Sequence, residues 1–555
     1  MSALKKRDDL AKVKSPTDKH LWLVLCVSIL LQLAAYDPLI NPYDEGLILV
    51  GAELVLTGNL PYLDFWTMYG PASFYLTAWF MSVFGPADLV VRITGVLAKA
   101  AIVCLSYAIV VRYVPRSYAL GSSSIILGML IAVRNDAFPV FPALALALAA
   151  IILAARGLRR KPPFLLAAGI CSGLVTTFRH DLGAYSAVAI GLAVLFSVLS
   201  ECKILGRGAA ARKFLVRIGY YAAGVCLVIV PVATLLMTTV PLSDLYGSLI
   251  YMPSSVYPAV RALPFPGLYD LQQSLSGSGD LAAFAVYVPF LVVPWIFAVL
   301  ILDARRDEVL ATRPTTHGAD DALLILIVAL TCLLFTLKGL VRVSSIHMIQ
   351  SIVLAVPLLV IGSTRLSRQL AARVLLLPPL IAGALLATRL AMDGVGFVAS
   401  GLAGAMRPPD GLLHRCMHPE LARLRCVSAE ENYLLAARYV IENTGSDDLI
   451  YVGTGRHDKV FANAIAIYFM SGRLPVTKWY EVHPGVQTQA RVQQQMIAEM
   501  VSKPPRLVLL DSRWDGAEEP NQSRFSSGVT LLDDYIRANF TDVARFGTIR
   551  VLAPR

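Results

Sequence analysis

The sequence predicts a polytopic α-helical membrane protein with a C-terminal extracytoplasmic α/β domain, and three observations carry that prediction. Of the 555 residues, 56% are hydrophobic and 16% charged, with a mean hydropathy of +0.63, against roughly 25% charged residues in soluble globular domains. Apolar runs long enough to cross about 30 Å of hydrocarbon, on the order of 20 residues as helix, recur throughout residues 20–392. From residue 393 to 555 the pattern changes to alternating strand-like and helix-like pieces. The formal charge of +11 does not indicate a nucleic-acid partner, because Lys and Arg sit in short loops between apolar segments and form no basic face.

In chain order, residues 1–19 are polar and basic, and no small-residue cleavage site follows the first apolar run. They read as a cytoplasmic tail before a signal anchor. Spans are expected near 20–36, 87–111, 117–133, 138–155, 163–178, 182–200, 214–239, 281–302, 322–337, 345–362 and 373–391. Together they make 20–392 a transmembrane domain with an acidic first loop at 37–86. The run 71–84, PASFYLTAWFMSVF, is short and aromatic-rich, which suits a helix lying at the interface. Charge asymmetry supports leaving it out of the spans. The basic loops at 112–116, 156–161, 201–213, 302–313 and 363–373 then share one side, which retention of Lys and Arg identifies as cytoplasmic. Eleven spans place the N-terminus inside and the C-terminus outside.

The C-terminal region reads as a helix near 430–443, the strand DLIYVGT, an apolar helix near 460–471, a helix at 486–502, the strand RLVLLD, a helix at 529–540 and a closing strand pair. It has no GxGxxG or P-loop pattern, so packing against the bundle is its default role. Cys416 and Cys426 flank a short polar stretch on the outer side, where a disulfide is expected if the compartment is oxidising. A metal site adding His414 and His418 is the alternative, with a spacing that fits no common zinc pattern.

The candidate chemistry begins between Asn41 and Pro71. Asp44 and Glu45 stand together at the start of an amphipathic helix, with no Arg or Lys between Asp37 and Pro71. An ionised carboxylate without a local cation is a candidate general base. Asp44 is equally readable as the N-cap of a helix from Glu45 to Thr57, with Glu45 favourable in its first turn. The expected topology puts Arg134 and Asp136, then Arg179, His180 and Asp181, then Lys338 and Arg342 on the same outer face. Arg134 and Asp136 are placed to pair with each other, and Arg342 to anchor a helix end. Together the set suits a lipid-phosphate substrate, with cations on the phosphate and a carboxylate activating a hydroxyl. Tyr62, Phe65, Trp66, Tyr69, Tyr75 and Trp79 follow the acids, and an interfacial aromatic belt is the reading for most of them. The loop 240–280 is readable as a mobile lid or as plain disorder.

Asp44-Glu45-Gly46, Ala52-Glu53, Leu56 to Gly58, Pro61-Tyr62 with Asp64, Tyr69-Gly70-Pro71, Phe84-Gly85 and Val91-Arg92 together resemble the first loop of C-type (GT-C fold) glycosyltransferases. The likeness is to the group that includes protein O-mannosyltransferases and aminoarabinose and lipopolysaccharide-core sugar transferases. Asp136 falls where this group carries its second acid, and Lys338-Gly339 resembles its lysine turn. The run from Ile467 to Gly485 looks like the extracytoplasmic tail of uncharacterised bacterial members. The resemblance implies a sugar moved from a polyprenyl phosphate to a glycan, lipid or protein acceptor of the cell envelope, with inversion. Asp44 would be the base, with Asp136 and Glu45 completing the acidic centre, and Lys338, Arg342 and Arg179 would hold the donor phosphate. No cofactor is required by that chemistry, and a divalent cation beside the acids is compatible with it. Aminoarabinose transferases place a lysine where Gly70 stands, so the donor phosphate is held differently here. A polyprenyl-lipid transporter or flippase, expected to show repeats and midplane charges, and a non-catalytic scaffold are the alternatives from other classes.

Overall fold

In the computed structural model, which describes residues 19–134, 136–159, 161–276, 279–309, 316–366, 373–406 and 412–555, each segment expected to span is helical. The N-terminal tail to residue 18 and parts of the basic loops around 160, 310–315 and 367–372 lie outside the described residues. Among the described residues, eight helices are long and apolar enough to cross a membrane: Asp88–Val110, Val140–Arg159, His180–Cys202, Arg207–Thr239, Leu281–Leu302, Ala322–Gly339, Ser345–Thr364 and Leu377–Ala405. Three further expected spans, Lys19–Ala34, Arg116–Ala132 and Pro163–Phe178, are apolar but shorter, at 16, 17 and 16 residues. The run left out of the spans forms the helix Ala72–Phe84, whose 13 residues extend about 20 Å at 1.5 Å per residue, well short of the hydrocarbon thickness. Its Phe74, Ala78 and Met81 are buried while Trp79, Val83 and Phe84 face out.

Small residues set a close helix contact in the bundle. The helices Pro163–Phe178 and Arg207–Thr239 meet at Gly169 and Gly224, where an added Cβ would come within 2.1 Å of the Tyr221 and Leu166 carbonyl oxygens respectively. Close backbone approach of this kind lets lipid-embedded helices gain dispersion contact that larger side chains prevent. Tyr221 then donates to Ser172 Oγ at 2.8 Å across the seam. The other face of the second helix carries exposed Leu215, Leu227 and Leu235, as a lipid-facing surface does.

The expected change of composition near 393 does not coincide with a structural boundary. The last bundle helix runs unbroken from Arg373 to Ala405; its glycines after Met392 are sites of close packing, where a Cβ on Gly394 would lie 2.0 Å from Gly128 O and one on Gly401 1.9 Å from Ala34 O. Past it, the expected elements appear: the helix Glu431–Asn443, β1 (Ile450–Thr454), the helices Ala466–Ser471 and Ala490–Ser502, β2 (Leu507–Asp511), the helix Leu531–Asn539, β3 (Phe540–Phe546) and β4 (Ile549–Pro554). The sheet order is β1-β2-β4-β3, with β1 and β2 parallel and the remaining pairs antiparallel. Cys416 and Cys426 form a disulfide, so these thiols are not available as metal ligands.

The first loop and the C-terminal domain share one core. The helix Asp44–Leu56 was expected to be amphipathic, yet it is buried continuously from Glu45 to Leu54. The reason is the helix Ala466–Ser471, which covers its outer side so closely that a Cβ on Gly46 would lie 2.5 Å from Ala466 N. Backbone bonds stitch the junction: Ala466 N–H donates to Pro42 O at 2.9 Å, Trp66 N–H to Lys478 O at 2.8 Å and Ile40 N–H to Ser428 O at 2.9 Å. Phe65 and Trp66 are buried in this contact, and Tyr62 is buried against Val240 and Leu245, so the aromatic belt expected of the cluster is limited to Tyr75 and Trp79. Residues 242–276 of the long loop are also ordered into helical pieces, including a π-helical stretch, Gly247–Val256, and a short helix, Tyr257–Arg261.

Arg92 locks the loop to the bundle. Its Nε lies 2.9 Å from both Glu45 Oε1 and Asp88 Oδ2, its Nη2 donates to Glu45 Oε2 at 2.9 Å and Leu39 O at 2.7 Å, and its Nη1 donates to Asp37 O. All three charged side chains are at most 5% exposed. Removing the cation from such a cluster strands two buried carboxylates, so Arg92→Met is expected to cost about 3–5 kcal/mol, read as a lower unfolding midpoint of the purified protein. Gly224→Leu is expected to cost about 1–3 kcal/mol by overpacking the glycine seam, measured the same way.

Candidate active site

Two adjacent carboxylates with different fates define the site. Glu45 is buried and committed to Arg92, and it also accepts from Asn41 N–H at 2.7 Å. Its cation partner was invisible nearby because it comes 47 residues later. Asp44 next to it is half-buried and has no cation partner among the described residues. Nor does its carboxylate cap the helix. Asn41 does that, its Oδ1 accepting from the N–H groups of Tyr43 and Asp44 at 3.0 and 2.8 Å. The Asp44 carboxylate receives only a long 3.4 Å contact from Asn41 Nδ2. Burial, then the Glu45 charge, push Asp44 up to about 6, against the downward pull of Arg261 and Arg342.

Asp136 lies near enough to Glu45 for its charge to act on it, and it is paired with a buried cation. Lys99 Nζ contacts Asp136 Oδ1 at 2.7 Å and donates to Arg134 O at 2.7 Å. Arg134 pairs with Asp37, so the expected Arg134–Asp136 pair is replaced by two others. The exchange follows from Lys99, a buried cation inside an apolar helix that must find an anion at the helix end.

The expected phosphate-binding residues are not equally free, and of the three it is Arg342 whose charge acts on the Asp44 carboxyl. Arg179 is held by Asp181, Nε to Oδ1 at 3.1 Å, and lies 5.6 Å from the Tyr69 ring centroid. Lys338 Nζ donates to His347 O at 3.2 Å, with the Phe138 ring centroid 5.7 Å away. It has no carboxylate partner among the described residues. Arg342 is bidentate on Glu519, Nη1 to Oε2 at 2.9 Å and Nη2 to Oε1 at 2.6 Å, a pairing across 177 residues. Against the upward push of burial, the hydrogen bonds from Arg342 hold Glu519 below its ordinary range.

The C-terminal domain and the ordered long loop supply residues that sequence reasoning missed. Arg261, 8% exposed, reaches Glu519 Oε2 at 3.7 Å and donates to Phe461 O at 2.6 Å. Glu481 is fully buried. Its Oε1 accepts from Tyr43 OH at 2.9 Å, and its Oε2 has no partner among the described residues. Burial raises it to about 8, against the Tyr43 hydrogen bond. His483 bonds through Nδ1 to Pro484 O at 2.9 Å, which assigns the proton to Nδ1, since a carbonyl only accepts. Burial takes this ring down to about 3, so it is neutral. Glu481 and His483 lie in the run Ile467 to Gly485 singled out in the sequence. Nothing in local spacing signalled Arg261 or Glu519. Among the described residues, no group of three or more His, Cys, Asp and Glu gathers to hold a metal ion.

Gly70 explains its own departure from the lysine pattern. A Cβ there would lie 2.2 Å from Thr177 O and 2.9 Å from Phe178 O, so the turn preceding Arg179 fills the space a side chain would need.

No protein-family model and no curated protein matches the chain. Solved structures do. ArnT from Cupriavidus metallidurans in the apo state superposes with a TM-score of 0.55 at 12% identity, over 97% of this chain and 98% of that one. The structure of the same protein bound to undecaprenyl phosphate gives 0.54 at 11% identity, over 96% and 97%. Near-complete coverage of both chains at so low an identity is a statement about architecture: this chain is built on the fold of ArnT, the GT-C fold its first-loop motifs led us to expect.

Proposed function

We propose that the chain is a membrane glycosyltransferase that moves a sugar from a polyprenyl-phosphate donor to a hydroxyl of a cell-envelope acceptor, with Asp44 as the base. The observation that carries this reading is the state of Asp44. Glu45 and the acids near it, Asp88 and Asp136, are each held by a cation, while Asp44 has no cation partner among the described residues and lies under the influence of Arg261 and Arg342. A carboxylate raised to about 6 is mostly ionised at neutral pH, yet it is a stronger base than an ordinary aspartate.

In the reaction, Asp44 takes the proton of the acceptor hydroxyl as its oxygen bonds to the anomeric carbon. The bond from that carbon to the phosphate oxygen breaks on the opposite side, its electron pair leaves with the phosphate, and the centre inverts. Cations near the departing oxygen stabilise the charge that develops there. Lys338, which has no carboxylate partner among the described residues, and Arg179 supply it together with Arg342. Glu45 and Asp136 act through Arg92 and Lys99 on the placement of Asp44 and its loop. The topology goes with this reading: eleven crossings, with Asp44 and the C-terminal domain on the periplasmic side of a bacterial inner membrane and the basic loops in the cytoplasm. The transmembrane unit then ends with the helix that closes at Ala405.

The test is release of lipid phosphate from a labelled polyprenyl-phosphate sugar by the purified protein. Asp44→Asn is expected to lower the rate about 10²–10⁴-fold, the usual worth of a general base, while the protein stays folded. Unchanged release would remove Asp44 from the mechanism, and lipid movement across vesicles without release would make the protein a transporter. For the intact protein, the rate should fall as pH drops through about 6, where Asp44 takes up its proton, and not near 4 as for an unperturbed aspartate.

A further inference from the structure

The contact between Arg261, Arg342 and Glu519 has the chemistry of an occupied anion seat. Two guanidinium groups from different elements converge on one carboxylate: Arg342 grips both oxygens at 2.9 and 2.6 Å, and Arg261 stands 3.7 Å from Oε2. Planar bidentate donors of this kind take a phosphate as readily as a carboxylate. The two sides of the contact are unequally fixed. Arg342 Nη1 donates to Arg261 O at 2.8 Å, Val343 N–H donates to Leu263 O at 3.3 Å, and Arg261 Nη2 donates to Phe461 O at 2.6 Å, so the cations hold their places without Glu519. Glu519 stands on a surface turn between exposed Glu518 and Pro520. Its support is Asn521, whose Nδ2 donates to Glu519 Oε2 at 3.0 Å and to Ala262 O at 2.9 Å.

We propose that Arg261 and Arg342 are the seat of the donor's phosphate, that Glu519 occupies it in the unliganded protein, and that the donor enters by displacing Glu519 and its turn. This rests on the transferase reading above. The exchange conserves charge, since a sugar phosphodiester and a carboxylate each carry one negative charge. It also links the C-terminal domain to donor loading. Returning to the seat after transfer, Glu519 competes with the lipid phosphate product and favours its release. If the contact were only a strut between the domain and the bundle, removing the carboxylate would weaken ligand binding or leave it alone.

The two readings therefore differ in sign. Binding of undecaprenyl phosphate and of inorganic phosphate is measured on the full chain in detergent, for the wild type, Glu519→Gln, Arg261→Ala and Arg342→Ala. The expected result is binding about five- to tenfold tighter for Glu519→Gln, the factor by which a self-blocked site hides its affinity, and at least about tenfold weaker for each arginine variant. Binding by the wild type that Glu519→Gln leaves equal or weaker overturns the exchange while the transferase reading stands. No binding by wild type or Glu519→Gln removes both. Inorganic phosphate bound as tightly as the lipid overturns the seat as one for a lipid-linked donor. Hydrogen exchange on the wild type gives a readout independent of any variant: residues 512–527 should lose protection when undecaprenyl phosphate binds, and a gain or no change overturns the displacement.

Discussion

Arg92 takes one of two adjacent carboxylates and leaves the other, and the character of the site follows from that division. Consecutive residues at a helix start point to different sides. Glu45 points toward the span that begins at Asp88, where Arg92 meets it at 2.9 Å with almost no exposure to solvent. A buried ion cluster of this kind adds little net stability compared with an apolar contact, but it is costly to disturb, so it fixes the loop in one register. Asp44 is then carried away from Arg92, where besides the Glu45 charge it feels arginines belonging to the long loop and the turn after Gly339. Had Arg92 reached both acids, neither would be poised as a base.

The C-terminal domain is part of the site wall. It closes over the helix Asp44–Leu56 with Ala466–Ser471, brings Glu481 to Tyr43 and sends Glu519 to Arg342. Burial of the helix on all sides is the physical condition for the raised Asp44, because a solvated carboxylate would stay near its ordinary range. The glycines at 46 and 70 belong to the same logic. Each marks a place where backbone meets backbone with no space for a side chain, so the loop is held by main-chain contact and polar side chains are left to face inward.

What the sequence revealed and what it hid divide along the distance between interacting residues. Hydropathy and its period are local, so the helices, the strands and the short helix within 71–84 were legible in place. Ion-pair partners were not. Glu45 and Arg92 are separated by 47 residues, Lys99 and Asp136 by 37, and Arg342 and Glu519 by 177. Local reasoning therefore paired Arg134 with Asp136 because they were near in sequence, whereas Lys99 had the stronger need for an anion. The same limit made the helix after Tyr43 look amphipathic: its outer face carries apolar residues for a domain encoded more than 400 residues later, as the bond between Tyr43 and Glu481 shows with its separation of 438. Residues 242–276 looked like a lid or disorder because their helical pieces are short and carry Pro253 and Pro258, while Met252, Val256 and Tyr257 pack against residues of the C-terminal domain.

Glu481 completes the electrostatic picture by contrast with Asp44. Both are carboxyl groups raised mainly by burial, one to about 6 and the other to about 8. Around neutral pH they therefore hold opposite states: Asp44 is about nine-tenths ionised and Glu481 about nine-tenths protonated. Tyr43 OH donates to Glu481 Oε1, which leaves the Glu481 proton on Oε2, the oxygen without a partner. One acid is thus an acceptor and the other a donor, on a single wall, with the side chain of Tyr43 linking the residue before Asp44 to Glu481. Pairs of titratable groups pushed apart in this way divide the labour of proton transfer and hydrogen-bond donation between them. The desolvation that divides them comes from the same closure of the C-terminal domain over the first loop, so neither state would survive if that domain were packed elsewhere.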